Sequence, residues 1–346
     1  MRYSEYLSKL YRPSLKKTKR DEFIYLDKNE PPFGACDIIN FQFTNEDLSK
    51  LRTYPDPYEL YKKLAKFVGV DIKNLLITNG SEQAIDFVFR VFLEENDEVV
   101  YLNPSFAMFD VFAYYQKAKV KHINFEKNMS VSLDKVLNSI TQSTSLFVLA
   151  NPNNPTGTVF NLDELEQIAM HTQKCNTIFL LDEAYFHFYN INSLSLIDKY
   201  SNLIITRTFS KALGIAGARV GYAVSNENNI ELLRKLKPID EINYLSMRIA
   251  EKVIENSNFI LEKNIKQVKK WKDIFSREKL KDMEYIHTEG NFILLKCSNY
   301  EYNKKILLEN KILPKMDFKE DYLKNCFRFS VGTDKVMEKI ISLLKG

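Results

Sequence analysis

An open, mostly parallel α/β sheet sandwiched by helices and joined to a smaller α+β domain is the fold this sequence predicts. Three observations predict it. From residue 72 to about residue 206, short apolar runs alternate with segments of helical spacing, the pattern of strands joined by crossover helices. Turns rich in Gly, Pro, Asn and hydroxyl residues follow these runs, at the strand ends where open α/β sheets bind ligands. After Arg219 the pattern changes to helices and then to a short strand–helix alternation.

Residues 1–28 are polar and aromatic, end in a strand-like run at 23–26, and are expected to pack with the small domain. Asn29-Glu30-Pro31-Pro32-Phe33-Gly34 reads as an extended loop and Tyr54-Pro55-Asp56-Pro57 as a rigid turn. Apolar spacing predicts a helix over 58–68. Strands are expected over 75–78, 98–102, 120–124, 145–150, 177–181 and 203–206, with helices over 81–94, 106–116, 132–139 and 162–173. A helix over 227–237 stops before Pro238, and one long amphipathic helix runs from about 242 to 275. The tail reads as strand 291–296, helix 300–309, strand 326–330 and helix 334–344. The resulting division is a segment 1–28, a large domain 29–237 and a small domain 238–346.

The 346 residues are 45% hydrophobic, enough to bury a sizeable core. The net charge of +4 comes from 49 basic and 45 acidic residues scattered along the chain, which argues against a nucleic-acid-binding face. Cys36, Cys175, Cys297 and Cys326 show no CxxC or metal spacing, and the four histidines are dispersed, so neither a metal site nor a disulfide framework is expected. No run is long enough to span a membrane and the N-terminus lacks the apolar core of a signal peptide. The expectation is a soluble cytoplasmic protein with reduced thiols.

The chemistry centres on residues 202–222. The apolar run Leu203-Ile204-Ile205 leads into Thr206-Arg207-Thr208-Phe209-Ser210 and then Lys211, with Gly214, Gly217, Arg219 and Gly221 following. Desolvation lowers a lysine's pKa, and a neutral amine forms a Schiff base with an aldehyde. The hydroxyls, glycines and arginine suit a phosphate beside that aldehyde. Lysine imine plus phosphate points to pyridoxal 5′-phosphate (PLP). A strand followed by a surface-loop lysine would fit this spacing equally well, so other motifs must decide.

Asn79-Gly80-Ser81-Glu82 joins a strand to a helix. With Ser81 as N-cap, the amides of Ser81, Glu82 and Gln83 form an anion site, although a plain βα turn reads similarly. Asn151-Pro152-Asn153-Asn154-Pro155-Thr156-Gly157 has two X-Pro steps that can hold an asparagine towards a strand end. Asp182 follows four apolar residues, where a buried carboxylate needs a partner such as a protonated pyridine nitrogen, unless it merely caps a helix. Arg328 lies inside the strand-like run Cys326-Phe327-Arg328-Phe329-Ser330, facing a carboxylate or phosphate, or a structural ion-pair partner.

Together these segments (NEPPFG, YPDP, NGSEQ, NPNNPTG, DEAY, SKALGIAGARVGY, GNF, FRFSVGT) resemble the fold-type I, class I/II PLP-dependent aminotransferases over almost the whole chain. Within them the chain is similar to the histidinol-phosphate aminotransferase group. The resemblance implies that Lys211 carries the cofactor and shuttles a proton, and that Asp182 pairs with the ring nitrogen. It implies that Asn154 and Tyr185 bond the ring hydroxyl and that Phe106 stacks on the ring. Ser81, Glu82, Thr208, Ser210 and Arg219 would surround the phosphate. Tyr54 would reach the phosphate of a neighbouring subunit in a homodimer, and Arg328, Asn29 and Asn291 would serve the substrate. Where the group has a phosphate-binding arginine after an Ile-Leu step, this chain has Lys315, and Phe106 replaces the more usual tyrosine.

The implied reaction moves an amino group between L-glutamate, or a similar donor, and a phosphorylated keto acceptor. The acceptor stays open between imidazole-acetol phosphate and a small three-carbon phosphorylated ketone. A decarboxylase of a phosphorylated amino acid would share most of these motifs. A non-catalytic PLP-fold sensor is disfavoured by the presence of Lys211, Asp182 and Arg219 together.

Overall fold

The computed structural model describes residues 22–345, so most of the expected segment 1–28 lies outside the described residues. The described residues contain twelve strands, β1 to β12 in chain order. The large sheet contains β2 (Leu75–Thr78), β3 (Glu98–Asn103), β4 (Lys119–Asn124), β5 (Thr144–Ala150), β6 (Ile178–Asp182), β7 (Leu203–Thr208) and β8 (Gly221–Val224). Their order is β2-β8-β7-β6-β5-β3-β4. Strands β3 to β7 pair in parallel, and β8 runs antiparallel to both β7 and β2. The mostly parallel α/β sheet is therefore present, with one strand more than the sequence reading expects. Strand β8 is only four residues long and its first residue is the last glycine of the Lys211 motif, so its strand pattern was hidden in a turn signal.

Strands buried on both faces explain the near-continuous apolar runs. On one face Phe179, Leu181, Leu203 and Ile205 meet the helices Tyr58–Val68, Leu162–Lys174 and Tyr244–Glu255. On the other, Leu146, Val148, Leu180 and Ile204 meet the helices Ser81–Phe92 and Met108–Tyr115. Alternation along each strand thus sends neighbouring residues into different cores. That parity later decides which side chains reach the site.

The long helix expected over 242–275 is two helices, Tyr244–Glu255 and Ser257–Arg277, broken at Asn256 (φ −115°, ψ 15°). Apolar periodicity continues across the break, which is why it read as one helix. The first helix buries Met247, Ala250 and Val253 in the core of the large sheet, while the second places Val268, Trp271 and Phe275 in a third core. This third core lies against β10 (Phe292–Cys297) and β12 (Cys326–Ser330), which form an antiparallel sheet with β9 (Met283–Ile286). Strand β1 (Ile24–Leu26) pairs in parallel with β11 (Ile312–Pro314), and Leu26 enters the same core. Neither β9 nor β11 is among the expected strands: β9 is four residues long and interrupted by Glu284, and β11 is three residues long and ends in Pro314.

Candidate active site

The carboxyl ends of β5, β6 and β7 lie side by side in the sheet, so the loops after them meet. A cavity of about 710 Å³ opens there, lined on its other side by Asp27, Lys28, Glu30 and Arg328. Its lining includes every sequence-derived candidate except Tyr54, Asn29 and Asn291.

At one end sits a cradle for an anion. Gly80 caps the helix Ser81–Phe92, so Ser81 is the first helical residue and not its N-cap. The reason is steric: Gly80 has φ +81°, and a Cβ there would fall 2.5 Å from Nη2 of Arg219. The amides of Ser81 and Glu82 are among those a helix start leaves without intrahelical acceptors, whereas that of Gln83 donates to the Gly80 carbonyl at 3.2 Å. Arg219 Nη1 donates to Ser210 Oγ at 3.4 Å and its Nη2 lies 3.8 Å from Glu82 Oε2. Thr208 Oγ1 accepts from the Ser210 amide at 3.1 Å. Gly221 lets β8 run directly under this turn, since a Cβ there would lie 2.1 Å from the Ser81 nitrogen.

In the middle, Lys211 Nζ donates to the Lys28 carbonyl at 2.7 Å and lies 5.6 Å from the centre of the Tyr185 ring. Burial, with the Arg328 charge adding to it, brings its pKa down to about 8. Asp182, 5% exposed, ends β6 and accepts from Thr206 Oγ1 at 3.1 Å. Burial raises its pKa to about 6 against the opposing Thr206 hydrogen bond. Phe106 flanks the cavity and meets Phe109 edge-on, 5.6 Å between centres.

At the other end, Arg328 donates through Nη1 to Asn154 Oδ1 and through Nη2 to the Asp27 carbonyl, with burial lowering its pKa. Asn154 is aimed by its neighbours: Asn151 exchanges hydrogen bonds with the Phe160 backbone, and Asn153 binds the Pro104 carbonyl at 3.0 Å. Asn29 Nδ2 donates to Tyr185 Oη at 2.9 Å, and Asn291 Nδ2 donates to the Asn29 carbonyl at 3.0 Å. Both asparagines are fully buried, so they hold the wall instead of forming its surface. Tyr54 is 86% exposed and away from this chain's own cavity. Lys315 does not line it either; its Nζ lies 5.8 Å from the Phe318 ring centre.

The sequence reading missed Asp27, Lys28 and Glu30, which line the cavity beside Asn29. Their only signal was adjacency to the Pro-rich loop. It also missed the buried Glu183–Arg207 pair, each 5% exposed or less. Two ionisable residues next to Asp182 and Thr206 at the ends of apolar runs could have flagged it.

Fold and site together define an α/β enzyme with a desolvated lysine, a buried carboxyl and an anion cradle around one cavity. The model of the family "Aminotransferase class I and II" matches residues 21–344. Among relatives, the histidinol-phosphate aminotransferase of Thermoanaerobacter pseudethanolicus is 35% identical over 331 residues, 92% of each chain. The histidinol-phosphate aminotransferase of Sinorhizobium meliloti, solved with pyridoxal 5′-phosphate, superposes with a TM-score of 0.84 at 20% identity, covering 99% of this chain and 96% of that one. L-threonine-O-3-phosphate decarboxylase from Porphyromonas gingivalis shares the fold at a TM-score of 0.76 and 21% identity, covering 93% and 98%. The chain belongs to the class I and II aminotransferases. It is a PLP-dependent transaminase, and the residues fit that cofactor: a phosphate for the Ser81–Arg219 cradle, an aldehyde for Lys211 and a basic ring nitrogen for the buried Asp182.

Proposed function

We propose that the enzyme moves an amino group between L-glutamate, or a similar donor, and a phosphorylated ketone, with imidazole-acetol phosphate as the first acceptor to test. The observation that carries the reading is the convergence of Lys211 and Asp182, both desolvated, between two separate anion sites in one cavity. Bound PLP supplies an aldehyde for the amino group and a protonated ring that withdraws electrons from the reacting carbon. Asp182 holds the proton on the ring nitrogen. The Ser81 and Glu82 amides, with Thr208, Ser210 and Arg219, bind the phosphate. Phe106 would pack against the ring, and Asn154 and Tyr185 would bond its hydroxyl. Lys211, its amine free of charge at mildly basic pH, would serve as the base that takes the substrate Cα proton and hands it back. Arg328 binds the donor carboxylate or the acceptor phosphate as a fork. Asn29 and Asn291 orient Tyr185 and the loop over the substrate.

The relatives' shared name favours a phosphorylated imidazole ketone, and Lys315 in place of an arginine leaves a three-carbon phosphorylated ketone as the second acceptor. The decarboxylase likeness bears on the fold alone and does not support that reaction. The reading includes a cytoplasmic homodimer in which the exposed Tyr54 reaches the other subunit's cofactor phosphate. Among the described residues no helix is long and apolar enough to cross a membrane. It also includes a large domain over residues 29–237 and a small domain over 238–346, with the N-terminal segment packed on the small one. Paired half-reactions test the function. L-glutamate should bleach the imine absorbance of the PLP-loaded protein, and one phosphorylated ketone should restore it. No bleaching with glutamate or other common donors, combined with carbon dioxide release from a phosphorylated amino acid, would replace this reading with the decarboxylase.

A further inference from the structure

Asp182 sits at the last residue of β6, where a strand end is free to fray. On the cavity side its carboxylate accepts from one side chain, Thr206 Oγ1 at 3.1 Å, and from the Ala184 backbone. The partner of Asp182 in the β6–β7 register is Thr206. One residue further on, the end of β6 is followed by Glu183 and β7 carries Arg207, which by strand parity point to the opposite face of the sheet. There Arg207 Nε and Nη2 both lie 2.7 Å from Glu183 Oε2, and Ser193 Oγ donates to Glu183 Oε1. The Arg207 guanidinium lies 3.6 Å from the centre of the Phe186 ring, and its register partner on β8 is Tyr222. The Glu183 amide donates to the Thr206 carbonyl at 2.9 Å, a backbone bond beyond the end of β6. Arg207 thus ties together the end of β6, the segment after it and β8, one residue from Thr206 and four from Lys211.

A buried ion pair is a poor way to gain stability, because desolvation offsets most of the attraction and apolar replacements are often neutral or better. Its place back-to-back with Asp182 and Thr206 gives it another use. Resting on the reading of Asp182 as the ring-nitrogen partner, we infer that Glu183 and Arg207 are positioning residues for catalysis. They clamp the carboxyl ends of β6 and β7 from behind, so that the Asp182 carboxylate meets the cofactor nitrogen in a fixed direction. The substrate end of the cavity is not touched by this clamp.

The experiment replaces the pair by two methionines, Glu183→Met with Arg207→Met, and combines this double change with Asp182→Asn in a cycle. Three readouts are urea midpoint of the apoprotein, PLP dissociation constant, and rate of the glutamate half-reaction. The apolar pair should keep the urea midpoint near wild type. It should weaken PLP and slow the half-reaction by about tenfold or more, as small displacements of a catalytic group do. Apparent KM for glutamate should stay within about twofold, well below the tenfold step that 1.4 kcal/mol of lost binding would bring. In the Asp182→Asn background the further loss should vanish, because the pair then has nothing to position. A wild-type rate and PLP affinity in the apolar pair, or losses that multiply with Asp182→Asn, would overturn the inference while leaving the aminotransferase reading standing. Wild-type turnover in Asp182→Asn alone would instead sink the role of Asp182 itself. If the apolar pair does not fold, Arg207→Lys, which keeps the charge but loses the fork, is put through the same cycle with the same non-additive outcome required.

Discussion

The two ends of the cavity are built by different means. The cofactor end draws Ser81, Asp182, Thr208, Ser210 and Lys211 from the carboxyl ends of β2, β6 and β7, where the ladder of the large sheet sets their positions. The substrate end joins residues 27–30, Asn154 and Arg328 through single side-chain hydrogen bonds that span well over a hundred residues of chain. Backbone ladders are shared among many bonds, whereas each cross-link at the substrate end stands nearly alone. The difference teaches where the enzyme is rigid and where substitution is free to retune it. Lys315 and Phe106, the two departures from the related group, leave the sheet-borne acid, amine and phosphate ligands in place.

The largest effect is expected at the centre of the cofactor end. Lys211→Ala should remove the imine absorbance and lower turnover by about 10³-fold or more while the fold stays intact, as circular dichroism would show. Full activity would mean another residue carries the cofactor. Asp182→Asn should retain PLP yet slow the half-reaction by roughly 10²–10³-fold, because the ring proton loses its counter-charge. At the substrate end, Arg328→Gln should raise KM for glutamate by about 10- to 100-fold, the worth of a charged hydrogen bond, with PLP affinity unchanged. A fall in PLP affinity there would blur the separation of the two ends. Gly221→Ala reverses the pattern: a methyl 2.1 Å from the Ser81 nitrogen must push β8 off the cradle. PLP should dissociate about tenfold more readily, with KM for glutamate little changed at saturating cofactor.

The smallest effect lies in the pH dependence of the apoprotein. Burial raises the Asp182 pKa to about 6 in the fold, so the native state holds a proton that the unfolded chain has released. Stability from this group is therefore full at low pH and lost as the pH rises from about 4 to about 6. Urea midpoints should fall across that window, and Asp182→Asn should flatten the fall. An unchanged slope in the variant would place the titration elsewhere.

Much of the cofactor end was legible because its residues lie at the ends of apolar runs, where sequence neighbours are spatial neighbours. The helix start at Ser81 was misread by one residue because a positive φ at Gly80 has no side-chain signature. The substrate end was named through Arg328, Asn29 and Asn291, and the structure buries the two asparagines completely. Whether a loop asparagine faces the cavity or the wall depends on the chain packed behind it.

By itself the sequence determined the alternation of strands and helices, the lysine, carboxyl and anion-binding turns, and through them the class of chemistry. Those features are local: periodicity, turn residues and the ends of strands. Only the tertiary structure decided that β8 is antiparallel, that a helix breaks at Asn256, and that Glu183 and Arg207 meet behind Asp182. Each of these rests on contacts between segments distant along the chain, and burial, not local propensity, selects them.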